Sequence, residues 1–500
     1  MANSQVQLRK PTLDKDLEKL TFTEQATHFV LRSWTGVGIS LVFLAIAMAV
    51  AGGFATGTPG VLVVAVTAAL AAYMAMNIGA NDVTNNVGAA VGARAMSMGV
   101  ALVIAAIFEI AGALLAGQGV AHTVAFGIVD RAIFPNAETY AWAMMAALVS
   151  AALWINIATL ANAPISTTHA IIGGVIGAGA AASGFHSVQW DAIAVIVVSW
   201  TVSPILGGVI AAAFLFFIKE FIIYRDDKVE AAKTWVPVLV AVMAGSFAAF
   251  LANGGTNGAY DLPIGKALLV GLALGIVTYF VTRPIVRRHA QGLDNRNQSL
   301  RTLFRIPLIC SAALLSFAHG ANDVSNAVGP LYGVVSALGP GLAGEKAIIP
   351  LWVMVIGAFG ISLGLLLFGP RLIRIVGSEI TKLNPMRAFC VALSSAVAVL
   401  TASVLAIPVS STHIAVGAVF GVGLFREWYT RNSQRRIDYI RGRGNRIAPE
   451  TETANPEETS RRYLVRRSHF MTIVSAWIVT LPISAVLSAL IFLALNALFT

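Results

Sequence analysis

Apolar residues gather along this chain into long runs separated by short polar stretches. Runs of about 18 to 25 predominantly apolar residues, the length an α-helix needs to cross a hydrocarbon core, recur from end to end, and about thirteen can be marked off. They fall at 34–56, 60–80, 98–116, 140–163, 168–184, 191–218, 236–253, 265–282, 306–330, 347–368, 387–408, 411–425 and 470–498. The pattern predicts an all-α polytopic membrane protein of about 12–13 transmembrane segments, because a helix satisfies its own backbone groups inside lipid. The stretch ahead of the first run, MANSQVQLRKPTLDKDLEKL, is polar and has no apolar h-region or small-residue cleavage site, so the first span is expected to be retained.

Composition agrees with the pattern. Of 500 residues, 57% are hydrophobic and 12% charged, and mean hydropathy is +0.78, more apolar surface than a soluble fold hides. A net charge of +10 would suit nucleic acid, but the positions of the basic residues argue against that partner. Arg283, Arg287, Arg288, Arg296, Arg301 and Arg305 share one inter-span loop, and Arg371, Arg374, Lys382 and Arg387 share another. A third, from Arg426 to Arg467, holds Arg435, Arg436, Arg441, Arg443, Arg446, Arg461 and Arg462. Threading the spans puts all three on one face, as the positive-inside rule asks of a cytoplasmic surface. The N-terminus is then cytoplasmic and the C-terminus outside, in a multi-pass protein of the plasma (inner) membrane. Within the third loop, IAPETETANPEETS is Pro- and Glu-rich and reads as disordered. Cys310 and Cys390 lie in or beside apolar spans, with nothing to suggest a disulfide or metal site.

Two polar motifs occur twice. NIGANDVTNNVG, Asn77 to Gly88, shares its GANDV core with SFAHGANDVSNAVG, Ser316 to Gly329, 241 positions later. APISTTHAIIGGVIGAG, Ala163 to Gly179, is echoed by IPVSSTHIAVGAVFGVG, Ile407 to Gly423, aligning Pro164 with Pro408, Ser166 with Ser410, Thr168 with Thr412 and His169 with His413. Weaker echoes pair Gly112 and Gly117 with Gly364 and Gly369, and Trp200 before Pro204 with Trp477 before Pro482. The reading divides the chain into a cytoplasmic segment 1–33, an extra span 34–56, a first repeat 60–218, a two-span insertion with a basic loop 219–305, and a second repeat 306–498 that includes the cytoplasmic loop 426–469. Each repeat has five segments and two spans lie between them, so the second repeat starts from the opposite side of the membrane. Inverted-topology repeats with broken helices are characteristic of secondary transporters, although duplication also builds channels and structural bundles.

The motifs carry the candidate chemistry. Asn81 and Asn85, like Asn322 and Asn326, are four apart and share a helix face beside Asp82 or Asp323. Amide and carboxylate oxygens make a hard donor set suited to a small cation such as sodium, with Gly79 and Gly320 free to let the helix open and offer carbonyls. An Asp at membrane depth costs about 2.5 to 3.5 kcal/mol on insertion scales, so two need partners or a water-filled cavity. The alternative is that each Asp caps a half-helix. In the second motif, Ser166, Thr167 and Thr168, and Ser410, Ser411 and Thr412, put hydroxyls at the start of a Gly-rich segment, where a helix N-terminus presents N–H groups to an anion. The alternative is an N-cap, with Gly173/Gly177 and Gly417/Gly421 serving close packing. Glu109 is the clearest lone carboxylate inside an apolar span, and its aligned counterpart is Ile361. His319 stands where the first repeat has Ile78; it could relay protons or be satisfied by a backbone carbonyl.

On these residues the chain resembles the PiT family of inorganic phosphate transporters, whose hallmark is two GANDVANA-like signatures, here GANDVTNN and GANDVSNA, accompanied by PVSTTH-type elements. The resemblance covers 60–218 and 306–498. It implies an inverted-repeat fold, symport of phosphate with sodium ions or protons, and a homodimer. It further implies a cation site at Asn81, Asp82, Asn322 and Asp323, and phosphate-binding hydroxyls at Ser166, Thr167, Thr168, Ser410, Ser411 and Thr412. Glu109 matches a family glutamate, a second-half glutamate is replaced by Ala392, and Asn86 stands where the family usually has Ala. The expected function is a carrier rather than an enzyme, needing no cofactor beyond the coupling cation. Sulfate or a metal-phosphate complex are alternative cargoes. From another class, an anion channel would use the hydroxyls but not the paired carboxylates.

Overall fold

The structure is a computed structural model that describes residues 34–161, 165–254, 261–339, 348–379, 383–442 and 467–499. Among these residues the regular structure is helical, apart from two isolated bridges. In chain order the helices are α1 Trp34–Phe54, α2 Val61–Gly92, α3 Met98–Ala116, α4 Gln118–Phe126, α5 Ala137–Leu160, α6 Thr167–Ser183, α7 Trp190–Ile218, α8 Lys228–Ala252 and α9 Ile264–His289. They continue with α10 Asn297–Leu303, α11 Arg305–Asp323, α12 Ser325–Leu338, α13 Leu351–Glu379, α14 Pro385–Val404, α15 Ser411–Asn432, α16 Gln434–Gly442 and α17 Arg467–Phe499. Ten are long and apolar enough to cross a membrane, and α10 together with the α11–α12 rod, meeting it at 44°, makes an eleventh. The chain is an all-α polytopic membrane protein.

Four of the thirteen expected spans, 140–163 with 168–184 and 387–408 with 411–425, pair into two hairpins rather than crossing singly. Asp130 N donates to Ser187 O at 2.8 Å and Tyr140 Oη to Ala125 O at 2.6 Å. The start of α5 and the end of α6 therefore lie at one end of the bundle, and Arg131, bonded to Ser336 O, adds the end of α12. The opposite end collects the start of α14, where Phe389 meets Phe304, and the far end of α15, where Tyr429 donates to Glu220. Thus α5–α6 and α14–α15 are hairpins that turn back within the bundle. The α6 arm has 17 residues, about 26 Å at 1.5 Å per residue and short of the hydrocarbon thickness.

The helices of the two halves interlock, and glycine makes this possible. A Cβ on Gly79 of α2 would lie 1.9 Å from Ile361 O of α13, and one on Gly364 of α13 would lie 2.0 Å from Met76 O of α2. Correspondingly, Gly320 of α11 meets Glu109 O of α3 at 2.2 Å, and Gly112 of α3 meets Phe317 O at 2.0 Å. The glycines beside GANDV are thus close-packing positions rather than the openings expected of them. The hairpins repeat the arrangement: Gly173 and Gly177 face Leu481 O and Ala485 O of α17, while Gly417 and Gly421 face Pro204 O and Gly208 O of α7. These contacts make Leu481, one residue before Pro482, the counterpart of Pro204. The extra span α1 lies on α13, with Phe54 stacked on Trp352 at 5.4 Å. In the linking pair, α8 and α9 pack on each other through Gly245 and Gly271.

Several expected boundaries move. The span ending at residue 80 continues as α2 to Gly92, so Asp82 lies in mid-helix and caps nothing. Its polar neighbours end the apolar run in the sequence but not the helix, because they find partners inside the protein. Likewise the span 306–330 runs on through α12 to Leu338. The basic loop beginning at Arg283 is helical to His289. Pro164, Lys382, the 1–33 segment and the 443–466 tract with its Pro- and Glu-rich stretch lie outside the described residues.

Candidate functional site

Each hairpin return arm starts with a capped turn. Ser166 is the N-cap of α6, its Oγ accepting from His169 N at 3.1 Å, and Ser410 caps α15 by accepting from His413 N at 3.3 Å. The serine caps satisfy backbone N–H groups that the first turn leaves open, so helix formation restarts here. The two starts face each other. Thr168 Oγ1 donates to Val409 O at 3.0 Å, and the rings of His169 and His413 meet edge to face at 4.5 Å. Trp200 Nε1 donates to Pro408 O at 3.2 Å.

The GANDV segments of α2 and α11 lie against these tips. Thr167 Oγ1 donates to Asp82 Oδ2 at 3.0 Å, and its counterpart Ser411 Oγ donates to Asp323 Oδ2 at 2.8 Å. Asn85 Nδ2 donates to Thr412 Oγ1 at 2.8 Å, and Asn326 Nδ2 to Thr168 Oγ1 at 3.3 Å. Each asparagine therefore reaches the hairpin of the other half. Asn81 and Asn322 act further out: Asn81 Nδ2 donates to Thr159 at 2.9 Å, whereas Asn322 donates to Ser403 and Ile407 O, each at 3.2 Å, and accepts from Val409 N. They tie the hairpin arms to the core helices.

Exchange symmetry fails at the centre. Thr412 Oγ1 donates to Asp82 Oδ1 at 3.2 Å, but its counterpart Thr168 is turned to a carbonyl and Asp323 Oδ1 is buried without a hydrogen-bond partner. Between the aspartates sits His319, fully buried, with Nε2 2.9 Å from Asp323 Oδ2 and 3.7 Å from Asp82 Oδ2. Its Nδ1 is 3.0 Å from Glu109 Oε2, so carboxylates rather than a backbone carbonyl surround the ring. Asn86 Nδ2 donates to the other Glu109 oxygen at 2.7 Å. One nitrogen of His319 and one oxygen each of Asp82 and Asp323 lie within 4.8 Å of one another, close enough for one ion.

All thirteen residues expected at the site converge, but not in one role. Ser166 and Ser410 cap, Asn81 and Asn322 anchor, Thr167, Thr168, Ser411 and Thr412 line the meeting of the tips, and Glu109 reaches the aspartates only through His319. Asn86, Thr159 and Ser403 were not foreseen as partners. Of these only Asn86 carried a signal, its departure from the signature. Ala392, the expected stand-in for a glutamate, is buried on α14.

A multi-pass helical bundle whose two halves each send a capped hairpin to meet two buried aspartates is the architecture of a secondary transporter. The chain belongs to the phosphate transporter family, which it matches over residues 78–488. A relative in Helicobacter pylori named "Putative phosphate permease" is 40% identical, the alignment covering 96% of this chain and 99% of that one. One of the same name in Pyrococcus abyssi is 33% identical over 84% and 94%. Among solved structures, one described as the sodium-dependent phosphate transporter superposes with a TM-score of 0.75 at 31% identity, covering 87% of this chain and 100% of that one.

Proposed function

We propose that this protein imports inorganic phosphate by symport with a cation, with phosphate held by the hydroxyls and helix N-termini where the hairpins meet and the cation held at Asp82 and Asp323. The observation that carries the reading is charge: Asp82, Glu109 and Asp323 surround a single imidazole, all four side chains buried. Even a charged His319 leaves a net negative centre beside the place an anion must occupy. Two like charges 4 Å apart repel by about 4 kcal/mol at an effective dielectric of about 20, so phosphate enters only with cations between it and the aspartates. That requirement is coupling. Sodium is the better supported ion, since the structural relative is described as sodium-dependent; a proton remains the alternative.

A buried carboxylate accepting a hydrogen bond from P–OH would favour phosphate over sulfate, which carries no proton near neutral pH. The basic ends of α9, α15 and α16 support a cytoplasmic N-terminus and an external C-terminus, and the fold supports two inverted repeats at 60–218 and 306–498. Uptake of labelled phosphate into proteoliposomes, with sodium and proton gradients imposed separately and sulfate as competitor, tests the proposal. Accumulation above equilibrium should require a cation gradient and resist sulfate. Accumulation abolished by sulfate would name a sulfate permease, and equilibration indifferent to either gradient a channel.

A further inference from the structure

Three of the positions at which the GANDV helices and their glycine-packed partners differ in polarity between the halves are in contact with one another. Asn86 stands opposite Ala327, Glu109 opposite Ile361, and His319 opposite Ile78. The first replaces a methyl group and the others replace isoleucines. Together they form one line: Asn86 Nδ2 to Glu109 Oε1 at 2.7 Å, Glu109 Oε2 to His319 Nδ1 at 3.0 Å, and His319 Nε2 to Asp323 at 2.9 Å. The line comes from three helices, α2, α3 and α11, and ends between the two aspartates. Asn86 is 1% exposed and Glu109 1%, so neither has water to turn to if the other is removed. A lone buried amide bonded to a carboxylate on a neighbouring helix restricts that carboxylate's rotation, and the carboxylate in turn sets its charge 3.0 Å from the imidazole.

We propose that Asn86 is a positioning residue for cation coupling. By clamping Glu109 it holds the imidazole of His319 on Asp323, so that the two aspartates, equivalent by repeat, are inequivalent in use and Asp82 is the one open to the exchanging cation. The inference rests on the cation-symport reading above. The surroundings also separate the aspartates: Asp82 accepts from the neutral donors Thr167, Thr412 and Asn85, which a cation can displace or share, whereas Asp323 accepts, among the described residues, from Ser411 alone and is in direct contact with the ring. Without the amide, Glu109 is free to rotate, His319 is no longer held from one side, and the ring can cover Asp82, now 3.7 Å away, in competition with the cation.

Asn86→Ala is a suitable probe because the second repeat already carries Ala327 at the matching place. In proteoliposomes it should raise the half-saturating cation concentration by about tenfold, the effect of losing one hydrogen bond to a charged group. The half-saturating phosphate concentration at saturating cation, and the maximal rate there, should stay within twofold of the parent. Asn86→Ala combined with Glu109→Gln should be no worse than Glu109→Gln alone, since the amide acts through that carboxylate. Cation-dependent thermal stabilisation of the purified protein reads the same shift without transport. Asn86→Leu, which keeps the bulk of the side chain but has no donor, serves if the alanine variant fails to fold. An unchanged cation dependence in a folded variant, or additive losses in the double variant, overturns the proposal. A parent protein whose uptake ignores every cation gradient would instead overturn the symport reading.

Discussion

Asp82 and Asp323 are the residues on which the chemistry turns, and their surroundings separate charge from structure. Asp82 accepts from Thr167, Thr412 and Asn85 and lies inside α2, so an amide of the same shape keeps an oxygen for the hydroxyls and disturbs no cap. Asp82→Asn and Asp323→Asn are each expected to reach the membrane folded and to lose concentrative uptake or most of its cation dependence; near-normal uptake with unchanged cation dependence in both would move the cation elsewhere. The serines divide differently. Ser166 and Ser410 use an oxygen lone pair to cap α6 and α15, yet each hydroxyl keeps a proton for an anion at the tips. Replacing either by Ala should cost about 1 kcal/mol of stability from the lost cap and weaken apparent phosphate affinity by up to about tenfold. A melting shift with unchanged affinity in both would leave them as caps alone.

At the scale of the helix, glycine decides how near the two halves come, and here the sequence is ambiguous for a physical reason. A glycine beside a polar motif serves an opened helix and a close crossing equally well, since both need a missing Cβ. Only the neighbour distinguishes them, and the neighbours of Gly79 and Gly320 are the backbones of α13 and α3, far away in the chain. The repeated motifs, by contrast, were legible, because recurrence at matched spacing survives without knowledge of contacts. The line from Asn86 to Asp323 was legible only in pieces, since its members are strung across more than two hundred positions. Gly79→Ala and Gly320→Ala must each push a carbonyl oxygen away by more than an ångström, an overpacking penalty of about 1–3 kcal/mol or more. Gly88→Ala, whose Cβ would meet nothing nearer than 3.8 Å, should be neutral or stabilising in the same helix. Folded yield after detergent extraction measures the contrast, and equal yields for all three would show that the close crossings yield easily.

For the whole molecule, the open matter is which end faces the cytoplasm, and the hairpins make it simpler than a list of thirteen runs suggests. A segment that turns back and a segment that crosses twice both leave the chain on the side where it began, so orientation is independent of how deep α5–α6 and α14–α15 reach. What must be tested is the side on which the two ends of the bundle lie. Position 336, which the apolar pattern leaves in a loop, is buried near the end of α12, and Ser299 is buried in α10, so cysteines there would report burial instead of sidedness. His186, just past α6, and Gln291, between α9 and α10, are exposed at opposite ends. The Gln291 end holds Arg287 and Arg288 in the last turn of α9, together with Arg431 of α15 and Arg441 of α16. The positive-inside rule therefore puts it in the cytoplasm. Membrane-impermeant thiol labelling of intact cells, with Cys310 and Cys390 replaced by Ser, should mark His186→Cys and miss Gln291→Cys, and permeabilisation should expose both. Labelling of Gln291→Cys alone in intact cells would invert the protein in the membrane, while leaving the paired hairpins and their aspartates as they are.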